Sequence, residues 1–315
     1  RTADVVFVLR ADPSRTHPMV KTDLVQGIRQ RGQTVILAHA LSGGFERHAS
    51  VYLPLEPAGE EPLLHGIAAR LLSLNPQLAD TVGALPGFQP WARSLEPYRP
   101  EIVERLTGIG PAVLDRLCET LSAACKAVFV VATGLGVPGD AAGVTRAAAS
   151  LDALLGMGGG GVLVLGEKSN LQGVLDAGMH PVWLPGGREA ADPVALGVLY
   201  LADEDPVGAW PESWRGAEAV ERARCIIVHD AFLTPSARSA DVVFPVAILS
   251  ERAGTVVGAD GVRRVLRPVV PPLDGLPQDG QIFQELGRQL GVALPTGEAI
   301  EAELASLVGW PLPRP

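Results

Sequence analysis

The sequence predicts an α/β chain built from two parallel-sheet domains, and three observations carry that expectation. Short, wholly apolar runs such as VVFVL at 5–9 and CIIV at 225–228 read as strands covered on both faces, the state that parallel sheets impose. Each run leaves through a polar loop and enters a helix with a proline or a capping side chain in its first turn. Residues 3–38 already hold one complete strand, helix and strand unit.

In order, residues 3–9 form the first strand and pass into the loop 10–18, whose last proline opens a helix through Arg31. Gly32 stops that helix, and 34–38 is the next strand. A short strand at 49–55 leads through Pro57-Ala58-Gly59 to an amphipathic helix at 60–72. Residues 76–100, rich in proline and aromatics and weak in periodicity, read as a long surface excursion with little regular structure. Helices at 101–106 and 111–125, a strand at 127–132 and a helix at 140–155 follow. The glycine run at 156–161 is the best internal boundary, so domains are expected at 1–160 and 161–267, with a helical extension at 268–315.

Beyond that boundary, strands are expected at 162–165, 195–201, 225–228 and 241–244, with one more between the glycine turns at 251–255 and 258–261. A helix should end at Gly178, a short one should open at Thr234-Pro235, and two more should cover 279–290 and 298–307. LPGGR at 184–188 reads as a loop. The pentapeptide ADVVF occurs at 3–7 and again at 240–244; since its flanks differ, shared strand chemistry accounts for it without an internal repeat.

A net charge of −9 over 315 residues excludes nucleic acid as a partner, because a phosphate backbone calls for a basic face. No apolar run approaches the roughly 18 to 20 residues that a membrane span requires, so no direct span is expected. Cys118, Cys125 and Cys225 form neither a CxxC pair nor a metal-ligand spacing, and an odd number does not describe a disulfide framework; a reducing, cytoplasmic setting is expected. Cys118 and Cys125, seven apart on one predicted helix, should share a core-facing stripe. The opening RTADVVFVL carries no export signal, and its abrupt start on a strand is what a piece of a longer chain would show.

Open parallel sheets take ligands at the carboxyl ends of their strands, which draws attention to the loops at 10–17, 202–206 and 229–234. Ser169 or Asn170 caps another helix that starts from a strand end, where an anion would be welcome. Asp203, Glu204 and Asp205 would repel a phosphate unless a cation intervened. Residues 134–139 spell a literal GxGxxG between strand and helix, the dinucleotide fingerprint, but Pro138 removes an N–H from the cradle and Glu167 comes late for a ribose clamp. Tight packing is the better reading of that loop, with a free-standing NAD-binding protein as the alternative.

Four segments, ADVVFVLRADPSRTHPMV, EKSNLQGVLDAGMHPVWLPGG, LYLADEDP and VHDAFLTPSARSADVVFPVAILSERAGTVVGADG, stand in the order and spacing of the molybdopterin oxidoreductase superfamily. The chain resembles that superfamily, which includes the formate dehydrogenases. EKSN, Gln172-Gly173 and LPGG are more similar to its branch in NADH-quinone oxidoreductase (respiratory complex I), where one subunit carries a related module. The resemblance implies two Rossmann-like domains, of the type of domains 2 and 3 of formate dehydrogenase. It implies strand-end loops that hold the guanine nucleotide arms of a pterin cofactor, placing Asp12, His17, Asn170, Gly173, Glu204, Asp230 and Thr234 at such pockets.

The departures imply erosion. Arg10 and Asp12 replace a glycine and an asparagine, Ala38-His39-Ala40 replaces Asp-Pro-Arg, Asp203 replaces a glycine, Gly258 an asparagine and Val262 an arginine. An added carboxylate and a lost arginine both disfavour a polyanion. The expected role is therefore a scaffold in a respiratory complex, peripheral on the cytoplasmic face of the inner membrane and bound to its other subunits. No catalytic or metal-ligating residue, no molybdopterin guanine dinucleotide and no iron–sulfur cluster is expected in this stretch, the clusters lying upstream. The alternative is a fragment of a catalytic molybdenum or tungsten enzyme such as formate dehydrogenase.

Overall fold

β1 (Val5–Leu9) has all of its residues buried, and the first half of the chain is arranged around it. The structure, a computed structural model, describes residues 2–41, 43–133, 139–156, 161–166, 168–179, 196–210, 212, 215–273 and 275–308. The chain divides into two units, Arg1–Glu167 and Lys168–Pro315.

In the first unit β1 is followed by α1 (Pro13–Thr16), α2 (Pro18–Arg31), β2 (Thr34–His39), β3 (Val51–Pro54) and α3 (Glu60–Leu74). Four helices come next, α4 (Gln77–Val82), α5 (Phe88–Ser94), α6 (Pro100–Thr107) and α7 (Pro111–Ala123), before β4 (Ala127–Ala132), α8 (Ala141–Leu154) and β5 (Val162–Leu165). The sheet is parallel throughout, in the order β3-β2-β1-β4-β5. β1 has a partner on both edges, with Phe7 level with Ile36 on one side and Phe129 on the other.

Because side chains alternate along a strand, the sheet makes two cores. Phe7, Leu9, Phe129 and Val131 meet Leu63, Ile67, Leu71, Leu121 and Leu151 of the helices on one face. Val6, Val8, Val35, Leu37 and Val130 meet Leu24 and Phe45 on the other. Gly32 adopts the left-handed conformation, φ 65°, that stops α2.

Two expectations change here. Residues 76–100 contain α4 and α5, and Val82, Phe88 and Leu95 are buried in the larger core. Their apolar residues are too unevenly spaced to show a period, and Gly87 at φ 85° breaks the segment into two short helices. Cys118 is buried on α7, but Cys125 is exposed: α7 ends at Ala123 and the extended Ala124 turns the chain off the helical stripe.

The second unit contains α9 (Leu171–Asp176), β6 (Leu199–Ala202), α10 (Gly216–Arg222), β7 (Ile226–Asp230), α11 (Pro235–Arg238) and β8 (Val242–Pro245). Its three strands are parallel in the order β6-β7-β8. A 3-10 turn (Leu249–Glu251) leads to an antiparallel hairpin, β9 (Gly254–Val257) with β10 (Arg263–Leu266), and then to α12 (Asp279–Gln289) and α13 (Gly297–Val308). The sequence predicts one strand where this hairpin has two. LPGGR lies outside the described residues. β5 pairs with β4, so it belongs to the first unit; α12 and α13 belong to the second.

Phe7→Ala should lower stability by about 3 to 5 kcal/mol, since it empties a fully buried site between two sheet neighbours. Val164→Ala, on the exposed face of β5, should lower it by less than about 1 kcal/mol. Urea unfolding of the two variants measures the difference.

Candidate functional site

Each unit presents polar groups at the carboxyl ends of its parallel strands, as open α/β sheets do. In the first unit the strand order reverses between β1 and β4, the point where such folds take ligands. Arg10 occupies it. This residue is left-handed (φ 59°), 3% exposed, and its Nε donates to the Ala132 carbonyl at the end of β4, 3.3 Å away.

Asp12 caps α1, accepting from the Ser14 N–H at 2.9 Å through Oδ1. Its Oδ2 is buried without a hydrogen-bond partner among the described residues, and an added Cβ on Gly43 would lie 1.9 Å from it. Glu60, the first residue of α3, is likewise buried with Oε2 unpartnered among the described residues. The helix N-terminus stabilises its charge. Sequence reasoning missed Glu60, which looked like one acid among several in an amphipathic helix. His17 spans two strand ends: its Nε2 donates to the Gly166 carbonyl after β5 at 3.1 Å.

Of the GxGxxG loop, only Gly139 is described; the other residues lie outside the described residues. Gly139 has φ 93°, and a Cβ there would come within 3.0 Å of Ala58. Asp140 caps α8 through the Ala142 N–H at 2.9 Å, and that bond, with help from Arg146, holds its carboxyl below the usual range against the effect of burial. The helix N-terminus thus already faces a carboxylate.

In the second unit Asn170 is left-handed (φ 63°) and its Oδ1 accepts from the Val257 N–H of β9 at 2.8 Å. Gly173 makes room for that side chain, since a Cβ would stand 2.2 Å from Oδ1. Asn170 does not cap α9 with its side chain. At the exit of β6 the three acids take three different partners. Asp203 binds Arg252; Glu204 accepts from Lys168 at 3.0 Å and from the Trp210 N–H at 2.8 Å; Asp205 accepts from the Ser236 N–H at 3.0 Å and its hydroxyl at 2.5 Å. Asp230 closes a turn by accepting from the Phe232 N–H at 2.9 Å, and Thr234 caps α11 through the Ala237 N–H at 3.2 Å.

The strongest cluster was not visible in the sequence. His229 is fully buried between Tyr200, Phe244 and Phe283, rather than emerging from the strand. Its Nδ1 donates to Asp279 at 3.1 Å and its Nε2 takes the hydroxyl proton of Tyr200. Burial, reinforced by Asp279, pushes the Tyr200 hydroxyl up, which keeps that proton in place. Asp279 Oδ2 meets Arg252 at 2.9 Å, and Arg252 reaches Asp203 with two nitrogens and the Ala247 carbonyl with Nε. The hydrogen bond to Asp203 raises the Arg252 pKa further above its ordinary value. The only sequence signal was a polar residue inside an apolar run, at Tyr200 and at His229.

The profile of the molybdopterin oxidoreductase family matches residues 1–289. The chain belongs to that family. It is 27% identical to formate dehydrogenase H of Escherichia coli, an alignment covering 91% of this chain and 45% of that protein. It is 23% identical to F420-dependent formate dehydrogenase 1 subunit alpha of Methanococcus maripaludis, over 92% of this chain and 48% of the relative. A third relative, the NADPH-Fe(3+) oxidoreductase subunit alpha of Geobacter sulfurreducens, is 24% identical over 97% of this chain and 40% of its own length. This member of the molybdopterin oxidoreductase family thus spans less than half of each relative. Acetylene hydratase from Pelobacter acetylenicus shares its fold, with a TM-score of 0.70 at 17% identity over 92% of this chain and 47% of that one.

Members of this family imply a pterin dinucleotide, a polyanion, and the strand ends described here do not fit one. Two buried carboxylate oxygens, on Asp12 and Glu60, lack donors among the described residues of the first unit. In the second, Arg252 and Lys168 are already paired with the chain's own acids. Among the described residues no cluster of His, Cys, Asp or Glu is placed to hold a metal, and no helix is long and apolar enough to cross a membrane.

Burial works against the charge of Asp205, but the bonds from Ser236, Gly208 and Val207 outweigh it and hold the carboxyl below its usual range. Its stabilisation is present above the unfolded pKa of about 3.9 and is lost as pH falls through the lower folded value. Asp205→Asn should therefore be less stable than the parent by about 1 to 2 kcal/mol at pH 7, and the gap should narrow below about pH 4. Thermal unfolding of both proteins across that range reads it.

Proposed function

We propose that this chain is the molybdopterin-oxidoreductase-like module of an NADH-quinone oxidoreductase, serving as a scaffold in an electron-transfer complex with degenerate cofactor clefts. The observation that carries this reading is the use of the strand-end cations: Arg252 is held by Asp203 and Asp279, and Lys168 by Glu204, so neither is left for a ligand's phosphates. The segments EKSN, Gln172-Gly173 and LPGG support the same branch. Its partners are the other subunits of that respiratory complex, on the cytoplasmic face of the inner membrane, and electrons from NADH pass through clusters upstream of this module.

A second reading is a portion of a catalytic molybdenum or tungsten enzyme, and the formate dehydrogenases among the relatives favour it. A free-standing NAD-binding protein is disfavoured by Asp140, which sets a carboxylate where a pyrophosphate would meet α8.

The native full-length protein separates these readings. As a scaffold it co-purifies with other NADH-quinone oxidoreductase subunits, contains no molybdenum, tungsten or pterin in this module, and its deletion abolishes NADH-dependent quinone reduction by membranes. Stoichiometric molybdenum with formate-dependent dye reduction would replace the scaffold with the catalytic enzyme.

A further inference from the structure

The guanidinium of Arg252 is the best-organised anion receptor in the second unit, and the chain supplies the anion. Three groups fix it: Ala247 accepts from Nε, Asp279 lies 2.9 Å from one terminal nitrogen, and Asp203 binds both terminal nitrogens, one at 3.0 Å. Two of these three are independent of Asp203, so the guanidinium keeps its aim without it.

Asp203 itself is unusual. It follows β6 directly, at the strand end where parallel sheets take ligands, and its backbone is left-handed at φ 54°. Non-glycine residues occupy that region rarely, and when they do the surroundings must hold them there. Here the holding contact is the bidentate ion pair. The Asp203 side chain is 44% exposed against 16% for Arg252, so the acid lies on the solvent side of the pair.

We infer that Asp203 is a built-in anion: its carboxylate occupies the face of Arg252 that would otherwise receive the phosphate of a nucleotide at the exit of β6. This inference rests on the degenerate-cleft reading and identifies what closes the second unit's strand end. A carboxylate and a phosphate oxygen present the same acceptor geometry to a guanidinium fork, so the two compete for one site. Because Asp203 is tethered, it wins that competition against any dilute free ligand. Glu204 and Asp205 are satisfied by other partners and take no part.

The test is GDP and inorganic pyrophosphate binding, by calorimetry, to the full-length protein and to Asp203→Gly, Asp203→Asn and Asp203→Gly/Arg252→Ala. Glycine relieves the left-handed backbone; asparagine tolerates it while removing the charge, which guards against a folding defect in either variant. Both single variants should bind GDP more tightly than the parent by on the order of tenfold, the worth of one charge-assisted hydrogen-bond pair. The double variant should fall back to the parent. An equal gain for pyrophosphate supports the inference, since the receptor then reads phosphate alone. Single variants with parental circular dichroism and melting that bind no better than the parent overturn it, as does a gain that survives loss of Arg252. Failure of the scaffold reading looks different: molybdenum or pterin in the native protein, whatever the variants bind.

Discussion

Burial of parallel strands on both faces is the constraint from which the first unit's architecture follows. β1 lies between β2 and β4, so its backbone groups are committed to the ladder and its side chains alternate into two separate cores. Nothing polar can be placed along such a strand without an unpaired buried group. Polar chemistry is therefore confined to the ends, and Arg10, Asp12 and His17 all follow the last residue of β1 in one loop. The second unit obeys the same rule with less material. Its compact core holds five buried residues, Leu201, Val220, Ile226, Val228 and Ala237, all on the side of α10 and α11. The other face of its sheet is covered by α12, and the contact there is mixed: Phe283 packs on Tyr200 and His229, while Asp279 accepts the imidazole proton.

The repeated pentapeptide shows how far sequence can carry such a reading. Both copies of ADVVF feed strands, as the apolar runs require. In the first copy Phe7 is fully buried; in the second Phe244 is 36% exposed. Identical residues cannot encode that difference. It comes from position, since β1 is central in five strands and β8 is the edge of three. Long, strongly patterned elements such as α2, α7, α8 and α12 were legible for the same reason that they are stable: their caps and apolar stripes are local. The segment 76–100 was not legible, because its burial depends on α3 and α8, which are distant in sequence.

The candidate site was legible in part. Asp12, Asn170, Glu204, Asp230 and Thr234 do lie at or beside strand ends or helix starts, because those places are marked by local turn and cap chemistry. Their partners were not readable. Val257 for Asn170, Lys168 for Glu204 and Arg252 for Asp203 are separated from them by 87, 36 and 49 positions. A sequence displays charges; only the fold decides which of them cancel. The acidic triplet 203–205 looked like a region in need of an outside cation, and the chain provides the cations itself.

The order of those partners also determines which residue the site can least spare. Without Asp203, Arg252 keeps Asp279 and the Ala247 carbonyl, so no charge is stranded. Without Arg252, Asp203 and Asp279 lose their shared cation, and the bond between Asp279 and His229 is left beside two like charges at the start of α12. The Tyr200, His229 and Asp279 chain has one direction of proton donation only while Asp279 stays ionised, and Arg252 is the group beside it that favours that state. The ion pair at the strand end and the polar chain beneath α12 are thus one electrostatic unit: the cation that excludes an outside anion also fixes the hydrogen bond by which α12 is docked.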